Sequence, residues 1–598
     1  MCGIAGILTT ESDQNHLERL IQRMQGALQH RGPDDQGVYI APNRQASLAH
    51  TRLSILDLTP AGHQPMSTPD GRYWITFNGE IYNFQQLRSQ LEAKGEDFCS
   101  RTDTEVILKL YQYMGADCVK QLRGMFAFAI WDDLEKTCFL ARDPLGIKPL
   151  YYWQSGSTLI FASELRAVLA SGLPEICLSR EGLYGYLTSG SVPEPQTLIE
   201  EVRILEAGHW LFWRAGNVHQ SRYWQIAFAT ESITAPEAIT MVRKALIDSL
   251  QHHFISDVPV GVFLSGGIDS TAVVALSRQI QSGALNTYSI AFEEKEWNEG
   301  DLAQKVADKF GTNHTEYKIT ASMGRSLLPQ FLDAIDQPSI DGFNTFCVSQ
   351  IARKSGMKVV LSGLGGDELF GGYKSFQNVP RMVRLGQQLQ PLQPVIAGIG
   401  MGLERWGTST RLRRLGDFLQ QVPSPVVAYR SFRGIFSHWE ACQLLKSYFP
   451  DRELPARQSH KLDSDDLPSW EDEVSHLEIS HYMRNQLLRD SDVMSMVWGL
   501  ELRVPLVDRT LLETIACIPS QLRLAPSKQL LIQAVPELPE WIVNRPKRGF
   551  FFPYEQWMQA EWQDYFRQIN CPRHIPLKLW YRRWCLAILQ HWWRSISR

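Results

Sequence analysis

The sequence predicts two domains of different class: an N-terminal α+β domain, a sandwich of antiparallel sheets with flanking helices, and a C-terminal α/β domain on a parallel sheet with added helices. Three observations predict it. The chain of 598 residues is longer than one core usually organises. Its first third packs short β-rich runs between turns, and its middle repeats a different unit, a compact apolar strand, a glycine turn and a helix.

The β-rich runs are YWITFNGEIYN at 73–83, FAFAIWDD at 126–133, CFLARDPLG at 138–146 and LIFASE at 159–164, a density that reads as sheet on sheet. The helical period of EVILKLYQYMG at 105–115 makes this half mixed α and β. AGHWLFWRAGNVHQSRYW reads as a closing strand pair before a polar Ser/Thr/Ala linker, which puts the boundary within 205–235 and the domains at 1–210 and 236–598. From Pro236, APEAITMVRKALIDSLQHHF reads as an amphipathic helix leading into the strand VPVGVFL, and SGGIDSTAVVALSRQI as a glycine turn opening another helix. The same order recurs at KVVLSGLGGDELFGGY, 358–373, so the loops of a parallel sheet gather at one edge. Helical patterns dominate afterwards.

Composition excludes several functions. The apolar fraction of 44% and charged fraction of 21% are those of an ordinary soluble protein. A formal net charge of -4, from 60 basic and 64 acidic residues, leaves no electrostatic footprint for nucleic acid. Ten cysteines occur without a CxxC pair or a Cys/His cluster, which argues for reduced thiols in a cytoplasmic setting. No signal peptide is visible, and the longest apolar runs, such as PVIAGIGMGL at 394–403, are too short to span a bilayer. The C-terminal KLWYRRWCLAILQHWWR, 578–594, has tryptophans and arginines at helical spacing, which reads as a face packed on a core with basic stems laid over it, not as a membrane anchor.

In SGGIDS, 265–270, two glycines after a buried strand let backbone N–H groups approach an anion, and Ser265, Ser270 and the helix N-terminus add donors. The bland alternative is a helix entry capped by Asp269 or Ser270. No GxxxxGK[ST] is present, so a nucleotide bound here is not held as in a Walker-type ATPase. The second turn, SGLGGDE at 362–368, adds two carboxylates, which beside phosphates imply Mg²⁺. Taken alone it reads better as a glycine-rich loop with solvated acids, but two such loops after two buried strands converge at one crevice.

At the N-terminus, MCGIAGI sets Cys2 directly after the initiator methionine. A buried cysteine is more often a small hydrophobe than a nucleophile. RLSIL at 52–56, NGEIYN at 78–83 and RTDTE at 101–105 raise the reactive reading. An arginine and an aspartate can hold the carboxylate and ammonium of an amino acid, and Asn78 with the Gly79 N–H can form an oxyanion hole. Against that, Arg52 and Asp103 are also readable as surface charges, and Asn-Gly as a hairpin turn.

Together MCGIAGI, HRGPDDQG, RLSIL, NGEIYN, GMFAFAIWD and RDPLGIKPLYY resemble the class II glutamine amidotransferase domain, and VGVFLSGGIDS with LSGLGGDELFGGY its partner synthetase domain; the pair resembles the glutamine-hydrolysing asparagine synthetases. The likeness covers nearly all of 1–210 and much of 236–375 and 480–555, and fades in 376–475 and after 560. It implies an Ntn-type first domain and an adenine nucleotide α-hydrolase-like second domain of the ATP-pyrophosphatase type. It makes Cys2, once Met1 is removed, a nucleophile whose own α-amino group, of reference pKa ~7.7–8.0, is the general base. It puts Asn78 and Gly79 at the oxyanion, and Arg52, Leu53, Ser54, Ile55, Leu56, Asn78, Gly79, Glu80 and Asp103 around glutamine. Leu264, Ser265, Gly267, Asp269, Ser270, Ala291, Ser362, Gly363, Asp367 and Lys528 are implied around ATP, with Asp269 and Asp367 near Mg²⁺.

The substrates so implied are glutamine, ATP and aspartate, the products asparagine, AMP and pyrophosphate, with no nucleic-acid or membrane partner; a homodimer is the assembly it allows. Two rivals stand beside this reading, an amidotransferase of the same build acting on another carboxylate, such as a sugar acid, and a non-catalytic sensor of glutamine or nucleotide. One departure bears on the first rival: the family carries SGEGSDE where this chain has SGLGGDE, with Leu364 for the glutamate and Gly366 for the serine.

Overall fold

In the computed structural model, residues 1–11, 14–228, 232–294, 296–453, 455, 457, 467–545 and 552–597 are described, so residues 229–231 of the linker lie outside them. The first domain contributes β1 (Gly3–Leu8), β2 (Asp35–Ile40), β3 (Ala46–Arg52), β4 (Met66–Ser67), β5 (Tyr73–Ile81), β6 (Gly124–Asp132), β7 (Thr137–Arg142), β8 (Tyr151–Ser155), β9 (Thr158–Ala162), β10 (Arg203–Ile204), β11 (His209–Arg214) and β12 (Asn217–Arg222). They form two antiparallel sheets, β10-β8-β9-β1-β3-β2 and β12-β11-β7-β6-β5-β4.

The two sheets pack face to face, with helices on both outer faces. In β1, Ile4 and Leu8 point into the inter-sheet core with Leu48, Trp131, Leu140 and Trp213, while Ala5 and Ile7 pack under the helix Gln14–Ala27 through Ile21 and Met24. A strand covered on both faces has no polar alternation, and β1 reads as a continuous apolar run. The outer face of the second sheet is covered by the helices Phe84–Glu92 and Asp103–Met114, which bury Leu87, Val106 and Ile107 against Phe77 and Phe128.

The second domain is built on β13 (Val260–Phe263), β14 (Asn286–Phe292), β15 (Asn313–Ile319), β16 (Val359–Leu361) and β17 (Glu501–Arg503), all parallel, in the order β15-β14-β13-β16-β17. From β13 the chain steps outward to β14 and β15, then returns to the other side of β13 as β16. The connections therefore diverge between β13 and β16, and a crevice opens at the carboxyl ends of those two strands. The sequence places its two glycine turns there.

The C-terminal helix Trp580–Ile596 packs on this domain's core. Trp584 is wholly buried, and the buried Arg582 guanidinium makes an ion pair with Glu440 at 2.7 Å. Arg582, Trp584 and Trp592 thus face inward, while Arg594 is exposed. Among the described residues no helix is long and apolar enough to cross a membrane, and all ten cysteines are free.

Candidate active site

β5 carries NGE in the middle of a nine-residue strand, with Asn78 opposite Ala127 and Gly79 opposite Phe126, so Asn-Gly is not a hairpin turn here. Glycine is required at 79 because a Cβ would come within 2.1 Å of the Met125 carbonyl oxygen. β1 runs alongside, and the Cys2 backbone nitrogen donates to Asn78 Oδ1 at 3.0 Å. Asn78 is fully buried and its Nδ2 has no hydrogen-bond partner. An orphaned buried donor beside a thiol is what an oxyanion site needs.

Burial pushes the Cys2 thiol up, while the chain terminus, an N–H from Leu53 and Arg52 work the other way. Leu53, Ile55 and Leu56 are buried, and Ser54 N donates to Asp34 Oδ2 at 2.8 Å. Arg52 is no surface charge: its guanidinium donates to the carbonyls of Leu56, Asp57 and Thr59 and curls the 53–59 loop around itself. Asp103 is buried as well, and accepts from Ile81 N at 2.9 Å. Burial raises its carboxyl to about 7. Burial and the nearby Glu501 raise that of Glu80.

Sequence reasoning missed the residues that close this site from the other domain. Arg503 of β17 pairs with Glu501 at 2.6 Å and reaches Glu80 at 3.4 Å, and Glu501 Oε2 lies 3.0 Å from the Met1 ammonium. Arg31 donates to the Cys2 carbonyl and bridges Glu164 of its own domain to Asp492 of the other. Lys148 also pairs with Asp492, at 3.2 Å. The available signal was ELR, two opposite charges inside the apolar run WGLELRVPLV. Replacing Arg503 with methionine is expected to leave Glu80 buried without its cation and to strip Glu501 of its shortest ion pair. That should cost about 3–5 kcal/mol, read as a lower urea midpoint for unfolding.

In the crevice, the Ser265 and Ser270 hydroxyls lie 3.1 Å apart, and Ser270 Oγ donates to the Gly267 carbonyl. The loops fit back to back. A Cβ on Gly363 would lie 2.8 Å from Ser270 N, and one on Gly366 would lie 2.3 Å from Asp269 Oδ1, so a side chain at 366 would displace the Asp269 carboxylate from its present position. Leu264 and Ala291 are buried at the carboxyl ends of β13 and β14, and Ser362 Oγ accepts from Leu364 N.

Asp269 and Asp367 converge on the Lys528 ammonium from the two loops. Burial opposes the charge on Lys528, but the two carboxylates outweigh it and hold its pKa above the ordinary lysine value. Ser527 and Lys528 adopt φ of 61° and 60°, a left-handed pair of non-glycine residues of the strained kind that clusters at functional sites. Among the described residues no group of three or more His, Cys, Asp or Glu side chains is placed to hold a metal. Two carboxylates facing a phosphate cradle still match the way Mg²⁺ is bound with a nucleotide.

Leu364 is half-buried against the core and offers no polar atom, but Glu368 stands two residues beyond Gly366, itself 1% exposed, and accepts from the Tyr373 hydroxyl at 2.8 Å. Burial and the neighbouring Asp367 raise its carboxyl to about 7.

Known proteins share this architecture along the whole chain. Residues 1–224 match the family model described as a glutamine amidotransferase domain, and residues 241–596 the model described as asparagine synthase. Asparagine synthetase [glutamine-hydrolyzing] 1 of Bacillus subtilis (strain 168) is 34% identical over 584 residues, 95% of this chain and 90% of that protein. A putative asparagine synthetase [glutamine-hydrolyzing] of Mycobacterium tuberculosis is 33% identical over 578 residues, covering 90% and 85% of the two chains. The amidase chry2 of Gibberella zeae is 26% identical over 627 residues, covering 93% and 90%. With Cys2 beside a buried asparagine in one domain and a crevice between two glycine turns in the other, and with both family models and these relatives matched, the chain belongs to the glutamine-hydrolysing asparagine synthetases, a family of ligases.

Proposed function

We propose that the protein releases ammonia from glutamine at Cys2 and uses ATP at the crevice to convert aspartate to asparagine, in the cytoplasm where its thiols stay reduced. One observation carries the reading: Arg503 belongs to both sites. Its side chain reaches Glu80 beside Cys2, and its carbonyl accepts from the N–H of Ser362, the first residue of the second nucleotide loop, at 2.9 Å.

Removal of Met1 turns the Cys2 nitrogen, now an amide on Asn78, into an amine on the same carbon as the thiol's methylene. That amine takes the thiol proton, the sulfur attacks the glutamine side-chain amide, and Asn78 Nδ2 with the Gly79 N–H holds the oxyanion. Ammonia leaves, and water releases glutamate from the thioester. Arg52, through the loop 53–59 that it curls, Glu80 and Asp103 shape the glutamine pocket.

At the second site Ser265, Gly267 and Ser270 bind the phosphates, Leu264, Ala291, Ser362 and Gly363 line the nucleoside side, and Lys528 stands as a cation beside the pyrophosphate. Asp269 and Asp367 would hold Mg²⁺, which supplies charge neutralisation for the phosphates when bound. The aspartate carboxylate attacks the α-phosphorus, pyrophosphate leaves, and ammonia displaces AMP. Ammonia must travel unprotonated, which a desolvated interior between the domains favours.

Product analysis tests this. Purified protein with glutamine, aspartate, ATP and Mg²⁺ is expected to form asparagine, AMP and pyrophosphate in equal amounts. Stoichiometric ADP and phosphate would point instead to an acyl phosphate and remove the adenylation step.

A further inference from the structure

Next to the nucleotide crevice lies a cavity of about 500 Å³. It opens between the helix Arg180–Ser189 of the first domain, the helix Pro425–Arg433, the segment Glu478–Leu488 and the aromatic residues Phe552, Tyr554 and Trp580. Tyr373 connects it to the reaction site, because its ring forms part of the wall while its hydroxyl donates to Glu368. The residue before it, Gly372, is pressed so closely on Asp367 that a Cβ would overlap the carboxylate at 1.9 Å. The cavity therefore begins where the second nucleotide loop ends.

Its size is in the ~300–1,000 Å³ range of pockets for drug-sized ligands, far more than a four-carbon amino acid fills. Its chemistry is aromatic and basic. Tyr373, Tyr429, Phe432, Tyr482, Tyr554 and Trp580 supply rings; of the basic groups, Arg433 is bound to Glu478, Arg457 to Glu404 and Asp417, and Arg414 to the carbonyls of Phe432 and Gly434, while Lys374 stands exposed at the mouth.

The wall is also built rather than incidental. Arg433 lies over the rings of Tyr373 at 4.3 Å and Tyr482 at 3.8 Å, and its guanidinium binds Glu478 at 2.7 Å. Glu478 is wholly buried and is further held by Ser375 and Tyr429. A fully satisfied network of this kind sets side chains in one shape. Glu478–Leu488 is wound as a π-helix, a form concentrated at functional sites, and it presents Tyr482, Asn485 and Gln486 to the cavity.

We propose that this cavity admits, in addition to aspartate, a larger carboxylic acid as acceptor, one with an aromatic or apolar body and a second anionic group. The inference rests on the ATP-dependent amidation proposed above. The body lies among the rings, the second anion meets the exposed Lys374 at the mouth, and the reacting carboxyl reaches the Asp367–Glu368 end. The chemistry is unchanged. A carboxylate oxygen bonds to the α-phosphorus and pyrophosphate departs; the ammonia nitrogen then bonds to the acyl carbon, AMP leaves with the electron pair of the broken C–O bond, and the proton lost from nitrogen passes to solvent.

The test supplies ammonium chloride and ATP with Mg²⁺, follows pyrophosphate release, and compares aspartate with N-benzoyl-aspartate and the dipeptide Asp-Phe. At least one larger acid is expected to turn over with a KM about tenfold or more below that of aspartate. Val427→Trp, which fills the cavity from the helix Pro425–Arg433, should raise that KM by about tenfold or more while glutaminase activity and turnover of aspartate stay unchanged. Should Val427→Trp not fold, Ser189→Trp at the exposed rim gives the same readout. Turnover of aspartate alone, or an equal effect of the filling variants on both acceptors, overturns the inference. Pyrophosphate from no acceptor, with glutaminase intact, removes the amidation reading itself and the inference with it.

Discussion

Cys2→Ala is expected to reduce glutamine-driven amide synthesis to background and to leave synthesis from ammonium salts at the wild-type rate. In the proposed mechanism the thiol is the group that attacks the glutamine amide, and alanine offers no replacement. The crevice lies in the other domain and takes no atom from Cys2, so ATP consumption with added ammonia has no reason to fall. A variant that retains Met1 should behave like Cys2→Ala, because the Cys2 nitrogen would stay an amide donating to Asn78 and could not accept the thiol proton. The measurement is paired turnover with glutamine and with ammonium chloride. Glutamine-driven turnover surviving in Cys2→Ala would sink the N-terminal nucleophile.

Glu368→Gln is expected to lower the synthetase half-reaction by about 10²–10⁴-fold, the usual cost of losing a general base, with glutaminase activity unchanged. Glu368 is the acid left beside Asp367 once Leu364 has removed the family's carboxylate. Because burial lifts its carboxyl to about 7, the wild-type synthetase rate should rise with pH through that region as the group deprotonates, and the variant should lose that limb of the profile. The sign for stability is opposite. A carboxyl whose folded pKa is raised favours the folded state while protonated, and this contribution is lost as pH rises from the unfolded value, ~4.3, through about 7. Glutamine is neutral throughout, so at pH 8 the variant should be at least as stable as wild type. A variant that loses stability and both activities together would show Glu368 to be structural only.

Much of this molecule was legible from local pattern. Strand-turn-helix order at 258–280 and 358–369 identifies a parallel sheet because strand and helix periods differ, and glycine turns are visible wherever backbone must approach closely. Cys2, Asn78, Asp269 and Asp367 were recognisable because their chemistry depends on residue type at short spacing. Asn-Gly at 78–79 reads two ways, since the dipeptide favours turns and only its pairing with Phe126 and Ala127 sets it inside a strand. Arg52 likewise looks like a surface charge until the loop it wraps is seen.

What the sequence by itself determined is the pair of domains, their fold classes and the family they belong to, because these follow from periodicity and from motifs a few residues long. Only the tertiary structure decided how the two candidate sites are joined and that a cavity lies beside the second one. Arg503 meets Glu80 across more than 400 positions of chain, and the cavity draws its rings and arginines from segments between 184 and 581. Contacts of that separation leave no local period, since they are selected by burial and charge pairing after the chain has folded, and a cavity is defined by the side chains that surround it rather than by any one of them.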